Sequence, residues 1–143
     1  QPPGAKASAI VLKKEFTDVK DLLCIDYTSA YSTPSLDKLV RTFVYDRQGK
    51  GSFTVGDEFT ANAPIRFETA ITTQANWKII DDTHLLLTTG TEQMTVTIEA
   101  SGKVAFTSET IEVNSPAYTR IGISLKEQSK DGYIRLTMRT KQL

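Results

Sequence analysis

The chain has 143 residues, of which 39% are apolar and 24% charged, the balance of one folded domain of ordinary size. Its 17 basic and 17 acidic residues cancel, so the net charge gives no reason to expect binding to nucleic acid or to an anionic membrane surface. No stretch approaches the roughly 18 consecutive apolar residues that cross a bilayer, and the single cysteine cannot form a disulfide within the chain.

The N-terminal part of the sequence predicts a helix. Residues 1–7, with two prolines and a glycine, show no periodicity and are predicted to be a leader outside the fold. Apolar residues then recur at spacings of four, three and four, which is typical of an amphipathic helix. They are Leu12, Phe16, Val19 and Leu23. With Ser8 suited to cap its first turn, we predict one helix over residues 8–24 that ends at Cys24. We expect a buried thiol there, and an intermolecular disulfide is the alternative.

The next segment allows two interpretations. Pro34 after Thr33 suits the first turn of a short helix, whereas Phe43-Val44-Tyr45 favours a strand from about Val40. We predict a strand, which opens a β region over residues 38–142.

In that region, short runs of alternating apolar and polar residues are separated by turns at intervals of about ten residues. Ile65, Phe67 and Ile71, for example, alternate with polar neighbours, and Ser101-Gly102 suits a hairpin turn. Such spacing is typical of consecutive antiparallel pairing, in a meander barrel or a sandwich. We predict a mainly β fold, an antiparallel meander β-barrel of about eight strands, so that residues 8–143 form a single domain.

The sequence holds no motif for catalysis or metal binding. His84 is the only histidine and Cys24 the only cysteine, and neither lies in a recognisable motif. Nucleophilic catalysis needs a nucleophile, a base and a group that orients the base. We therefore expect no enzyme, no cofactor and no metal. Catalysis by carboxylates alone stays open as a minor alternative, because Asp81 and Asp82 adjoin, although such residues are typical of turns.

Apolar side chains that point into the barrel are the candidate ligand contacts. An eight-stranded barrel is just wide enough to be filled by side chains or to hold one small molecule. We expect an apolar ligand with one or two polar groups to contact Phe53, Phe67, Trp77, Met94, Phe106 and Leu136. For Trp77, an ordinary place in the core is the alternative.

His84 is the candidate pH-sensing residue. It begins a strand directly after the acidic turn, and histidine is the side chain whose charge changes near neutral pH. The alternative is an exposed polar residue at a strand end.

Two stretches resemble periplasmic co-regulators of the ToxS type. In residues 34–55, Phe43-Val44-Tyr45 is followed by Gly49-Lys50-Gly51 and a new strand. In residues 77–88, a tryptophan strand, an acidic turn and a leucine strand ending in threonine follow in the same order. The proteins VtrC and PsaF/MyfF look like members of the same functional class.

The resemblance implies a lipocalin-like barrel in the periplasm, held to the inner membrane by an anchor outside residues 1–143. It also implies a heterodimer with the periplasmic domain of a membrane-bound transcription regulator, which the chain stabilises and helps to sense a bile salt, a fatty acid or acidity. The alternative is a free-standing lipocalin-like carrier of a small hydrophobic molecule. In neither case is nucleic acid a partner.

Overall fold

The computed structural model describes residues 8–112 and 117–141, so the predicted leader over residues 1–7 lies outside the described residues. The described residues form eleven strands: β1 (Ile10–Phe16), β2 (Lys20–Asp26), β3 (Leu36–Asp46), β4 (Ser52–Ile65), β5 (Glu68–Thr73), β6 (Asn76–Asp81), β7 (His84–Thr89), β8 (Glu92–Ala100), β9 (Val104–Ile111), β10 (Tyr118–Leu125) and β11 (Ser129–Lys141). A short 3-10 turn over Thr28–Ala30 is the only helical element in this part of the chain. The described residues hold no helix that is long and apolar enough to cross a membrane.

The strands form two antiparallel sheets that share one core. The larger sheet has eight strands in the order β1-β2-β3-β4-β11-β8-β7-β6, and the smaller has three in the order β5-β10-β9. Buried side chains of both sheets belong to one apolar cluster, which makes the fold a two-layer sandwich. The larger sheet contributes Phe59, Leu85, Val96, Ile98, Ile134 and Leu136. The smaller sheet contributes Ile71, Val104, Ile121, Ile123 and Leu125, and Phe67 lies directly before its strand β5. The predicted mainly β, antiparallel character is thus confirmed.

The predicted helix over residues 8–24 is wrong, because this segment is the β1–β2 hairpin. The Thr17 hydroxyl donates to the Lys20 carbonyl at 2.7 Å and accepts from the Lys20 N–H at 2.9 Å, which closes the turn. All seven residues of β1 are exposed, so the helical spacing of its apolar residues does not reflect a buried helical face. Cys24 is partly buried on β2 rather than at a helix end.

The predicted closed barrel over residues 38–142 is also wrong. The eight-stranded sheet ends in β1 and β6, and no pairing joins these two strands in the described residues. Consecutive pairing stops after β4 and after β8, because β5 and β9 both pair with β10 in the second layer. The last strand, β11, then returns to the middle of the larger sheet between β4 and β8. The strand predicted from about Val40 is correct and forms part of β3.

Candidate functional site: an open sheet face and its groove

The smaller sheet covers only part of the larger one. β5 lies over β4, where the Thr69 hydroxyl donates to Asp57 at 2.8 Å and the ring of Phe67 stacks on Phe59 with centroids 4.5 Å apart. β5 is also an edge strand of the three-stranded sheet. The inward-facing surface of β1 and β2, and the end of β3 nearest Tyr45, therefore extends beyond this edge without a second layer in the described residues.

We call this surface the open face. Val55, Asp57 and Phe59 of β4 point toward the second layer. Paired residues on neighbouring antiparallel strands point to the same side of a sheet, so the inward-facing side chains can be followed from β4 through β3 and β2 to β1. Its apolar members are Val11, Phe16, Leu23, Ile25, Phe43, Tyr45 and Phe53. Phe16 is 66% exposed, Val11 54%, Tyr45 45% and Phe53 37%. The same register places Lys14, Asp21 and Arg41 on this face, so charged side chains lie among the apolar ones.

A groove runs between β5 and the larger sheet, next to the open face. Its volume is about 540 Å³, which lies within the range of roughly 300–1,000 Å³ for small-molecule sites. One wall is formed by residues 69–73, and Arg41 and Phe43 connect the groove to the open face. The apolar floor consists of Val55, Leu87, Met94, Leu136 and Met138.

A buried ion pair supports the rim of the groove. Arg41 donates from Nε to Asp57 Oδ1 at 2.6 Å and from Nη2 to Asp57 Oδ2 at 2.7 Å. The Tyr27 hydroxyl donates to Asp57 Oδ1 at 2.8 Å, and Thr69 adds the hydrogen bond from the other sheet. Asp57 is only 2% exposed, so these four hydrogen bonds replace the water that its carboxylate loses on folding.

The network shifts the titration of its members. Hydrogen bonding to Asp57 raises the pKa of Arg41 above its ordinary value, so this guanidinium stays charged. Burial, reinforced by the charge of Asp57, raises the pKa of Tyr27, so its phenol stays neutral and acts as a donor. The Arg41 guanidinium also lies 5.3 Å from the centroid of the Tyr27 ring.

The structure separates the six predicted ligand contacts. Met94 and Leu136 line the groove. Phe53 belongs to the open face, and Phe67 is a core residue that is 8% exposed. Trp77 and Phe106 are partly buried against the core, on β6 and β9. The six residues do not line one common cavity, because this fold lacks the single barrel interior that the prediction assumed.

His84 lies on the β6–β7 hairpin and is not among the residues that line the groove. Its Nδ1 is 2.9 Å from Asp81 Oδ1 and 3.0 Å from the Thr83 hydroxyl. Hydrogen bonds from the Thr83 backbone, from His84 and from the Thr83 hydroxyl lower the pKa of Asp81 from 3.8 to about 2. The acidic turn and the histidine are thus in contact, while the pH-sensing role of His84 stays a prediction.

Asp57 and Arg41 were missed by the sequence reasoning, although one signal was present. Phe53, Val55, Asp57, Phe59 and Ala61 occupy successive inward positions of β4. A carboxylate in such an apolar series requires a buried partner, which the pairing of Arg41 with Asp57 across β3 and β4 supplies.

In the part of the chain that the structure describes, no group of three His, Cys, Asp or Glu side chains is arranged to hold a metal ion.

No family model and no curated protein matches the sequence. Among solved structures, a crystal structure of heparinase III superposes with a TM-score of 0.73 at 15% identity, over 95% of this chain and 22% of that one. The heparan sulfate lyase HepC from Pedobacter heparinus superposes with a TM-score of 0.71 at 13% identity, over 94% of this chain and 22% of that one. The heparinase III BT4657 gene product gives a TM-score of 0.69 at 12% identity, again over 94% and 22%.

The chain thus spans about a fifth of the length of these structures. At such low identity, the likeness establishes a shared fold for this portion and no shared residues of a site. The chain has the two-layer antiparallel β fold of one portion of these lyases.

Proposed function

We propose that this chain is a non-catalytic β-sandwich module of a larger protein that cleaves an acidic polysaccharide such as heparan sulfate. The observation that carries the proposal is the superposition of 94–95% of the chain on about a fifth of several lyases, at TM-scores of 0.69–0.73. A match that includes nearly the whole module and a small share of each lyase is what an accessory unit of such a protein would give.

The open face supports the same proposal. Phe16, Tyr45 and Phe53 are 37–66% exposed on one face of the larger sheet, and aromatic residues and arginines are enriched at protein interfaces. Arg47 lies 4.8 Å from the ring centroid of Tyr45, and Arg41 lies 6.0 Å from that of Phe43. The face therefore suits contact with another folded unit.

The first test is to sequence the whole reading frame that encodes these residues. We expect it to encode a much longer polypeptide, whose full-length product cleaves heparan sulfate by elimination. The assay is the ultraviolet absorbance of the unsaturated sugar product, with uncharged dextran as the control substrate. Residues 1–143 produced alone should give no product. A reading frame without a lyase unit, or a full-length protein that leaves acidic polysaccharides intact, would contradict the proposal.

A second candidate function follows from the groove. Its apolar floor and its volume of about 540 Å³ suit a fatty acid or a bile salt, and an open apolar face also suits the periplasmic regulator domain implied by the ToxS-like resemblance. In this proposal the chain is an anchored periplasmic co-regulator, or alternatively a free-standing carrier.

Calorimetric titration with palmitate and with deoxycholate tests this candidate. We expect heat of binding that is lost in Met94→Glu, which places a charge on the groove floor, and retained in Lys78→Glu on exposed β6. Absence of heat for both ligands, with and without a candidate regulator domain, would contradict it.

A further inference from the structure

The outer edge of β5 is regular and unprotected. β5 pairs with β10 from Glu68 to Thr73 without a register shift, and its sequence holds neither lysine nor proline. In the described residues, no strand pairs with its other side. Isolated sheet edges expose unpaired N–H and C=O groups, which natural proteins cover or guard with charges, prolines and bulges.

The register identifies the backbone groups at this edge. The Leu125 N–H donates to the Phe67 carbonyl at 3.0 Å, and in an antiparallel ladder the hydrogen-bonded pairs alternate with pairs that are not hydrogen-bonded. Thr69, Ile71 and Thr73 therefore direct their backbone groups toward β10. Ala70 and Thr72 direct theirs away from β10, toward the groove and the open face, and both residues line the groove.

The two edges of the larger sheet are protected in the usual ways. β1 has a register shift between Val11 and Lys13 and carries two consecutive lysines. β6 has a register shift between Ile79 and Asp81 and carries Lys78. The edge of β5 has neither a register shift nor a lysine, and its one charged side chain, Glu68, pairs with Arg120. The edge of β9 is similar, but only β5 lines the groove beside the open face.

The open face supplies part of the area that a stable contact needs. Aromatic side chains bury roughly 150–250 Å² each and aliphatic ones less, so the partly exposed members of the open face leave at most on the order of 500 Å² for an occupant. A stable interface buries about 800 Å² on each side, and the groove beside β5 adds further apolar surface. One strand with its side chains in the groove and on the open face would therefore fill the uncovered region.

We propose that an extended segment from the lyase part of the full-length protein adds to the free edge of β5 and lies over the open face. Main-chain hydrogen bonds to Ala70 and Thr72 hold it, and apolar side chains at alternate positions enter the groove. The proposal rests on the proposed lyase function, since the occupant comes from the larger share of such a protein.

Amide hydrogen exchange of the full-length protein tests the proposal. The Ala70 and Thr72 amides should exchange at least about 100-fold more slowly than the amide of Gly102, which lies in an exposed turn. Equal exchange rates in a protein that cleaves heparan sulfate would overturn this inference and leave the lyase proposal intact. Protection that occurs only in a dimer would assign the edge to a second copy and would also overturn it.

A pair of proline variants adds a second measurement. Ala70→Pro removes one N–H at the free edge without removing a hydrogen bond to β10. Ser108→Pro does the same at the opposite edge of the sheet, since the Lys126 N–H donates to the Lys103 carbonyl and the alternation turns Ser108 away from β10. We expect Ala70→Pro to reduce the protection of the Thr72 amide at least about tenfold and Ser108→Pro to leave it unchanged. An unchanged Thr72 amide in both variants would overturn the proposal.

Discussion

Asp57 accepts a two-pronged contact from Arg41, at 2.6 and 2.7 Å, while its side chain is only 2% exposed. The same carboxylate accepts from Thr69 at 2.8 Å, so it links β3 and β4 of the larger sheet to β5 of the smaller one. A buried charge is tolerated when it is paired and fully hydrogen-bonded. The hydrogen bond from Thr69 to this carboxylate therefore ties β5 to the larger sheet at the rim of the groove.

Asp57→Asn should strongly reduce the free energy of unfolding. The substitution keeps the size of the side chain but leaves the half-buried Arg41 guanidinium without its counter-charge, which typically costs about 3–5 kcal/mol. Urea unfolding followed by tryptophan fluorescence gives the measurement. The control is Glu99→Gln, which breaks the exposed contact with Arg135 at 3.1 Å and should cost less than about 1 kcal/mol. Similar losses in the two variants would show that burial does not distinguish the two pairs.

Phe67→Ala should cost about 3–5 kcal/mol of unfolding free energy, because it opens a void where the two sheets meet. The ring of Phe67 is 8% exposed and stacks on Phe59. Phe106→Ala should cost less, because Phe106 is only partly buried, and Phe16→Ala on exposed β1 should change stability little. Denaturant midpoints in any other order would indicate that the packing of the two layers differs from this one.

Gly132→Ala should destabilise the protein by about 1–3 kcal/mol through overpacking. A Cβ at this position would lie 2.7 Å from Ser101 Oγ, 3.0 Å from Phe59 Cε1 and 3.1 Å from Leu125 Cδ1. Gly102→Ala is the matched control, because a Cβ there would have no atom within 4 Å. Melting temperatures that fall equally in both variants would contradict a packing origin.

Acid should remove a stabilising contribution of Asp81. Its folded pKa of about 2 lies below the ordinary value of 3.8, so the carboxylate stabilises the fold fully above about pH 4 and loses that contribution as the pH falls toward 2. Asp81→Asn should show a shallower loss of stability across this window, measured by urea unfolding at several pH values. Asp82→Asn is the control, since Asp82 makes none of the contacts of Asp81 with Thr83 and His84. A steeper acid transition in Asp81→Asn would contradict the assignment.

The alternation of apolar and polar residues determined the mainly β character and most inward positions. Phe67, Met94 and Leu136 were expected to point inward, and each faces the core or the groove. A period of two specifies which side chains share a face of a strand, and this information is local.

Only the tertiary structure decided which strands pair. The pattern of residues 68–73 is the same whether β5 continues a meander or crosses to a second layer, because the backbone satisfies its hydrogen bonds in either arrangement and loop closure costs little more. The helix predicted over residues 8–24 was wrong for a related reason. All of β1 is exposed, so its sequence carries no alternation of buried and exposed residues that would indicate a strand. Arg41 and Asp57, 16 residues apart, became neighbours only through the pairing of β3 with β4. The groove and the open face likewise depend on where the smaller sheet ends, which is a property of the packing and not of any single segment.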